Sequence, residues 1–340
     1  MPEQRLFYWY RPQLNISLHS TGRMWLVAGC AMLCVIQSAL TDNGQSLFIA
    51  LITLFTALLT EFLLTWRVTR FSKIADGSTA ASTMILVLLL PNQIHPVYAA
   101  LGAAFAVTVV KYSFGGLGAN WLNPALGGWL FIRFSWSAAF TDALSTQPSI
   151  AELASAADIS DIDNSVTAFF NDSVFNIAGV QLPSGYIDLL FSNNPGLITD
   201  RGLFALLAGT VVITAFGINR GWVPLVFLAV YGFLIRFAGD LSGIFWNGDV
   251  LYGLFSGGTI AAAFILAAEP ASGAKLFPGM MFSVILGAVL SWFFRYLCME
   301  YSGCFIALAL VNCMTPLIKL FEDRFFISRG RRSIVPENYL

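Results

Sequence analysis

The chain has 340 residues, 57% of them hydrophobic and 11% charged, with 18 Lys+Arg against 19 Asp+Glu and a mean hydropathy of +0.73. About a quarter of an ordinary soluble domain is charged, so a water-facing fold of this size could not cover its surface, and the sequence is that of an integral membrane protein. A net charge of −1 excludes a basic nucleic-acid binder, two histidines (His19 and His95) exclude most haem and zinc sites, and five scattered cysteines form neither a metal spacing nor a disulfide framework.

The first 23 residues carry Arg5, Arg11 and Arg23 but no apolar core, so no cleavable signal is expected and the first span serves as its own targeting signal. Ten apolar runs follow, near 24–40, 47–66, 79–91, 95–112, 123–140, 201–217, 222–237, 250–268, 276–294 and 302–320. In a lipid bilayer such runs hide their backbone polar groups as helices, whereas a barrel shows shorter, alternating segments. The third run is short and ends at Pro91, and the fifth carries Gly127 and Gly128, irregularities that require protein rather than lipid around the backbone. With the N-terminus inside, 14 of the 18 basic residues fall on cytoplasmic segments, and Arg133, Arg201, Arg236 and Arg295 fall at or within outward span ends. The positive-inside rule then places both termini in the cytoplasm. The connection 141–199 holds seven acids and no Lys, Arg or His, and falls outside.

An ordered recurrence organises the spans. Gly77-Ser78-Thr79, an apolar run and Pro91 return 180 residues later as Gly257-Gly258-Thr259, an apolar run and Pro270. After the next span comes a Gly-bearing turn (Gly115, Gly116 and Gly118, later Gly303), then Asn123-Pro124 and, in the second copy, Asn312 with Pro316. The third span runs outward and the eighth inward. The expected fold is therefore an all-α membrane protein of about ten transmembrane helices in two inverted five-helix repeats, with a site at their interface. Residues 1–140 form the first repeat, 141–199 a periplasmic loop, 200–320 the second repeat and 321–340 a cytoplasmic tail. The competing explanation is that Gly and Pro are simply common in membrane helices.

No Walker loop, dinucleotide fingerprint or metalloprotease pattern is present. The informative stretches are Asp76-Gly77-Ser78-Thr79, the run from Gly115 to Ala125 and Leu254-Phe255-Ser256-Gly257-Gly258-Thr259. Each places small or polar residues at a span end, where unpaired helix N–H groups meet a phosphate or ring carbonyl and glycine admits a planar ligand. Close packing by small residues explains the same pattern. Glu61 in the second span, Arg133 in the fifth and Lys111 at the end of the fourth are the ionisable residues to explain, since a charge inside the membrane is by default a functional group; for Glu61, near Trp66, a snorkelling interfacial role competes. Cys30 and Cys34 share one face of the first span and read as core packing.

Together and in this order, these stretches resemble the D subunit of the Rnf electron-transport complex and its homologue, the B subunit of the Na+-translocating NADH:quinone reductase. The likeness runs from Arg23-Met24 through Asp76-Gly77-Ser78, Lys111 to Ala125, Leu254 to Thr259 and Glu269-Pro270 to Asn312 and Pro316. Its specific part is Gly-Gly-Leu-Gly-X-Asn-X-X-Asn-Pro-Ala, and the short N-terminal segment favours the Rnf branch. The resemblance implies a flavin-carrying subunit of the bacterial inner membrane that relays electrons between partner subunits, coupled to Na+ or H+ movement, and that is not active alone. It implies FMN esterified to a threonine within Asp-X-X-Ser-Gly-Ala-Thr by a flavin transferase, with room for riboflavin or a second flavin. The matching segment is Asp161-Ile162-Asp163-Asn164-Ser165-Val166-Thr167, in which Asp161 and Thr167 keep their places while the core reads Asn-Ser-Val. The implied flavin contacts are Thr167, Asn120, Asn123, Gly116, Gly118, Ser256, Gly257, Gly258 and Thr259, with no metal ligand. A small-solute channel or transporter on the same scaffold and a flavin-free assembly subunit are the alternatives.

Overall fold

The computed structural model describes residues 19–66, 74–116, 120, 122–144, 161–175, 185–191, 196–242, 249–269, 273–274, 276–322 and 324. Two long helices, α1 (Ser20–Thr41) and α2 (Gln45–Thr65), form an antiparallel hairpin. Its turn needs two left-handed residues, and Asn43 (φ 55°) and Gly44 (φ 86°) are the types that adopt that conformation at least cost. Asp42 Oδ2 accepts from the Ser46 amide at 3.0 Å, and the Ser38 and Ser46 hydroxyls meet at 2.8 Å across the hairpin.

Helix α3 (Ser78–Leu88) starts after Gly77. It stops before Pro91, where the chain pairs with a second broken segment: Ile198 N donates to Leu90 O at 3.0 Å and Asn92 N to Gly196 O at 2.9 Å. This Pro91–Leu197 bridge is isolated, and the described residues contain no named strand. Helix α4 (Pro96–Phe105) has proline in its first turn and continues as π-helical turns over Ala106–Tyr112. Helix α5 (Pro124–Ser135) is capped by Asn123, whose side-chain oxygen accepts from Ala125 N at 2.7 Å. The fifth run is not one helix to residue 140. It breaks at Trp136, whose backbone (φ −133°, ψ 60°) leaves the helical region, and resumes as α6 (Ser137–Leu144).

Helices α7 (Asp161–Phe170) and α8 (Tyr186–Leu190) belong to the long connection. The phenol of Tyr186 donates to Asp249 Oδ2 at 2.7 Å, and burial followed by this bond pushes its pKa up. A single turn, α9 (Ile198–Arg201), then leads into α10 (Leu203–Ala215) and α11 (Trp222–Ser242). The eighth run is split into α12 (Val250–Phe255) and α13 (Thr259–Ala261), the latter extended by π turns over Ala262–Leu266. Ser256 is extended there and both Gly257 and Gly258 are left-handed, so no continuous helix can pass through them. Helix α14 (Phe277–Trp292) also ends in π turns, Phe293–Leu297, before α15 (Gly303–Glu322).

Among the described residues, four helical stretches are long and apolar enough to cross a membrane, Ser20–Thr41, Gln45–Thr65, Phe277–Leu297 and Gly303–Glu322; Ser78–Leu88, Pro96–Tyr112, Leu203–Ala215 and Trp222–Phe237 are shorter apolar helices. The chain is thus a multi-pass, all-α membrane protein. Burial alone gains little against lipid, so such helices associate through close contact of small residues and interhelical hydrogen bonds. A Cβ on Gly128 would stand 2.8 Å from Gly102 O between α5 and α4, and one on Gly209 would stand 3.0 Å from Cys30 Cβ. Cys34 is fully buried against Gly202, so both cysteines pack as their spacing predicts. At the centre Trp129 of α5 meets Phe305 of α15 edge-to-face, with ring centroids 5.4 Å apart, while Phe55, Leu63, Val211 and Phe321 face outward.

Candidate functional site

Between the N-terminal end of α1, the start of α3, the start of α5 and the end of the α13 segment lies a cavity of about 270 Å³. Its walls carry apolar residues such as Val27, Ile85, Ile213 and Phe264, and its polar lining includes Arg23, Ser78, Lys111, Asn120, Asn123 and Glu269 together with Ser20, Ser82 and Asn219. Asn123 caps α5 with its oxygen and donates from its nitrogen to Glu269 Oε2 at 2.6 Å, so one residue builds a helix start and joins α5 to the α13 segment. The Asn120 amide nitrogen, oriented by the two carbonyls that face it, donates to Lys111 O and Gly116 O at 3.2 Å each. Gly116 (φ 91°) permits the tight turn, and open space lies where a side chain would project from it.

On the wall of this cavity sits a buried cationic centre. Lys111 Nζ donates to Glu61 Oε1 at 2.9 Å, Ser78 Oγ at 2.7 Å and Thr79 Oγ1 at 2.5 Å, which uses all three ammonium protons. Tyr112 donates to the same Glu61 oxygen at 2.8 Å. The side chains of Lys111 and Glu61 are 4% and 1% exposed, which overturns the snorkelling role for Glu61: its carboxylate points into the bundle because a buried ammonium is there to pair with it. Glu61 Oε2 is buried and has no hydrogen-bond partner among the described residues.

A second centre has the same design. Arg295, in the π turns after α14, donates to Ser256 O at 2.7 Å, Ser256 Oγ at 2.6 Å, Gly253 O at 3.0 Å, Thr259 Oγ1 at 3.1 Å and Tyr231 Oη at 3.3 Å. The amides of Gly257 and Gly258 donate to Asp200 Oδ2 and Oδ1 at 3.2 and 2.9 Å, and the Tyr301 phenol donates to Oδ2 at 2.8 Å. The helix-start amides that could meet a ligand's phosphate therefore already hold the chain's own carboxylate. A side chain at Gly257 would meet Arg295 Nη1 at 2.7 Å, and one at Gly258 would run into the Phe305 ring.

The sequence-derived contacts divide accordingly. Asn120 and Asn123 line the cavity, with Gly116 on the turn bonded to Asn120. Ser256, Gly257, Gly258 and Thr259 gather at the Arg295 centre instead. Gly118 lies outside the described residues. Thr167 lies in α7 and is 4% exposed, on the buried side of a helix rather than on an open loop. Arg133 forms a two-bond ion pair with Glu300, at 2.8 and 3.3 Å, linking α5 to the segment before α15.

The family profile for NQR2, RnfD and RnfE matches residues 10–326. The chain belongs to the NQR2, RnfD, RnfE family. Among its relatives it is 24% identical to the D subunit of the proton-translocating ferredoxin:NAD(+) oxidoreductase complex of Clostridium ljungdahlii, over 88% of this chain and 89% of that one. It is 26% identical to the D subunit of the Na(+)-translocating ferredoxin:NAD(+) oxidoreductase complex of Acetobacterium woodii, covering 74% and 73%. It is 30% identical to the D subunit of the ion-translocating oxidoreductase complex of Aeromonas hydrophila, covering 72% and 75%.

Sequence reasoning missed Asp200 and the interior placement of Arg295. A signal for Arg295 exists: Lys111-Tyr112 recurs as Arg295-Tyr296 184 residues on, close to the 180-residue offset between the two helix starts that these cations hold. Asp200 offers no such cue, because it abuts an apolar run and reads as an interfacial acid.

Proposed function

We propose that this chain is the D-type membrane subunit of an ion-translocating oxidoreductase complex, one that binds flavin and relays electrons between partner subunits, coupled to Na+ or H+ movement. The observation that carries the reading is the cavity bounded by α1, α3, α5 and the α13 segment, with its apolar walls and few convergent polar groups. Its volume of about 270 Å³ is near the lower bound of roughly 300 Å³ for small-molecule sites. The donor set fits a planar heteroaromatic ring: Asn120, Asn123 and Ser78 can meet ring carbonyls and nitrogens, Ile85 and Phe264 can cover its faces, and Arg23 and Lys111 supply positive potential. Bound isoalloxazine supplies an acceptor for electrons singly or in pairs, while the protein supplies position and electrostatics.

The finer architecture belongs to the same reading: ten spans in two inverted repeats, both termini on the cytoplasmic side of a bacterial inner membrane, and 141–199 outside. The two matched cation centres support it, since each buried cation closes one helix and grips the Ser/Thr start of another. FMN on Thr167, attached by a flavin transferase, is a further part, and in this fold it requires α7 to turn that hydroxyl outward. The test is the absorbance spectrum of the purified chain before and after denaturation. Flavin bands that separate from the protein on denaturation support the cavity; bands that stay with it support Thr167. A colourless protein from cells that supply flavin and the transferase, passing solute across liposomes, would instead be a channel.

A further inference from the structure

The polar side chains that line the cavity mostly bring protons to donate. Arg23 and Lys111 carry no acceptor, and the Asn120 and Asn219 amide nitrogens already donate to main-chain carbonyls, Lys111 O, Gly116 O and Phe264 O. Among the described lining residues Glu269 is the one carboxylate. It closes the α13 segment, where its amide donates to Leu266 O at 3.4 Å, and its Oε2 accepts from Asn123 Nδ2 at 2.6 Å. Asn123 has no freedom to turn over. Its Oδ1 caps α5 by accepting from Ala125 N at 2.7 Å, which leaves its NH2 group facing Glu269. A carboxylate offers about four lone-pair positions and an NH2 group two protons, so their mutual bond exhausts neither. An acceptor and a donor therefore stand side by side on the cavity wall, one from each half of the chain.

We propose that Glu269 and Asn123 read a lactam edge of the ligand's ring, an N–H beside a C=O. Glu269 accepts from the ring N–H and Asn123 donates to the neighbouring carbonyl. This assignment rests on the flavin reading above, for which the edge is N3–H with a flanking carbonyl, and it adds a selection rule. A ring that offers an N–H there gains a bond to a charged acceptor, about twice as strong as a neutral one. A ring that offers only carbonyls, as a quinone does, turns lone pairs toward a carboxylate and is rejected. The Arg295 centre offers no comparable edge, because both Asp200 oxygens already accept from Gly257, Gly258 and Tyr301.

The experiment titrates riboflavin and 3-methylriboflavin, which lacks the N–H, into the detergent-solubilised full chain freed of dissociable flavin, and reads quenching of flavin fluorescence. The wild type binds riboflavin at least about tenfold more tightly than the methylated ring. Glu269→Ala weakens riboflavin by a similar factor and brings the two ligands within roughly threefold of each other. Glu269→Gln keeps the size and a neutral acceptor, and falls between. Equal affinities in the wild type, or a preference that survives Glu269→Ala, overturns the proposal. If neither variant yields folded protein, the N3 proton of 15N-labelled riboflavin on the wild-type chain decides: a downfield shift from its position in water supports the carboxylate contact, and an unmoved resonance overturns it. A wild type that binds no riboflavin removes the flavin reading and this edge with it. One that binds both rings alike keeps the flavin reading and removes the edge alone.

Discussion

At the scale of single residues, an asparagine and a glycine from look-alike motifs part company in the fold. Asn120 lines an open cavity, so Asn120→Leu is expected to reduce bound flavin with little change in unfolding temperature, as read by dissociable flavin per protein. Gly258 is left-handed (φ 68°) and faces the Phe305 ring, so Gly258→Ala is expected to cost at least ~2 kcal/mol and lower the melting temperature whether or not flavin is present. Flavin loss from Gly258→Ala at unchanged melting temperature would restore the Ser256–Thr259 segment as a ligand cradle. Arg295→Met should be costlier, about 3–5 kcal/mol, because it leaves Asp200 without its countercharge and carbonyls without donors. If a covalent flavin exists, Thr167→Ala removes the fluorescent band in a denaturing gel, since a phosphoester needs that hydroxyl.

The helices themselves are legible in the sequence to differing degrees, and the reason is local chemistry. Asn123-Pro124 announces the start of α5, and Gly77-Ser78-Thr79 the start of α3, because caps, first-turn prolines and left-handed glycines act within a few residues of themselves. The break in the eighth run is marked by Gly257-Gly258, but the pattern alone reads as a helix start, with α12 fused to it. The break at Trp136 and the turn α9 have no such marker, since they depend on long-range partners: α9 is placed by Leu90 and Asn92, about a hundred residues earlier. Half of the site is legible for the same reason. Asn120 and Asn123 sit in a dense motif, whereas the Glu61–Lys111 pair joins helices 50 residues apart and Asp200 reaches Gly258 across 58. The cap gives a prediction at this scale. Asn123→Leu loses both the amide acceptor of α5 and the donor to Glu269, so it should cost roughly 1–2 kcal/mol as a cap and release flavin as well. Asn123→Asp keeps the cap but sets a carboxylate against Glu269, and should retain α5 while loosening its contact with the α13 segment. Hydrogen exchange of the Ala125 and Leu126 amides separates the two outcomes.

For the whole molecule the decisive quantity is the uneven distribution of 18 basic residues along a chain that has almost no net charge. Basic residues cluster at 67–73 and at 319–332, while 141–199 has none. The four basic residues that the ten-span reading assigns to outward span ends include two held inside the protein, Arg201 at 3% exposure and Arg295 at 8%, so in that reading they add little positive charge to the outer surface. An even number of spans must return the C-terminus to the side of the N-terminus. The Arg133–Glu300 pair further requires that the C-terminal end of α5 and the segment before α15 share a depth, as ten alternating spans demand. The expectation is therefore that a reporter active only in the periplasm works when fused at Ser155, and one active only in the cytoplasm works after Leu340. An inactive fusion at Ser155 alone would mean that an odd number of the short helices fail to cross before it. An inactive fusion after Leu340, with Ser155 active, would place the miscount in the second half, where α10 is the shortest apolar helix and the α12–α13 segment is interrupted at Ser256–Gly258.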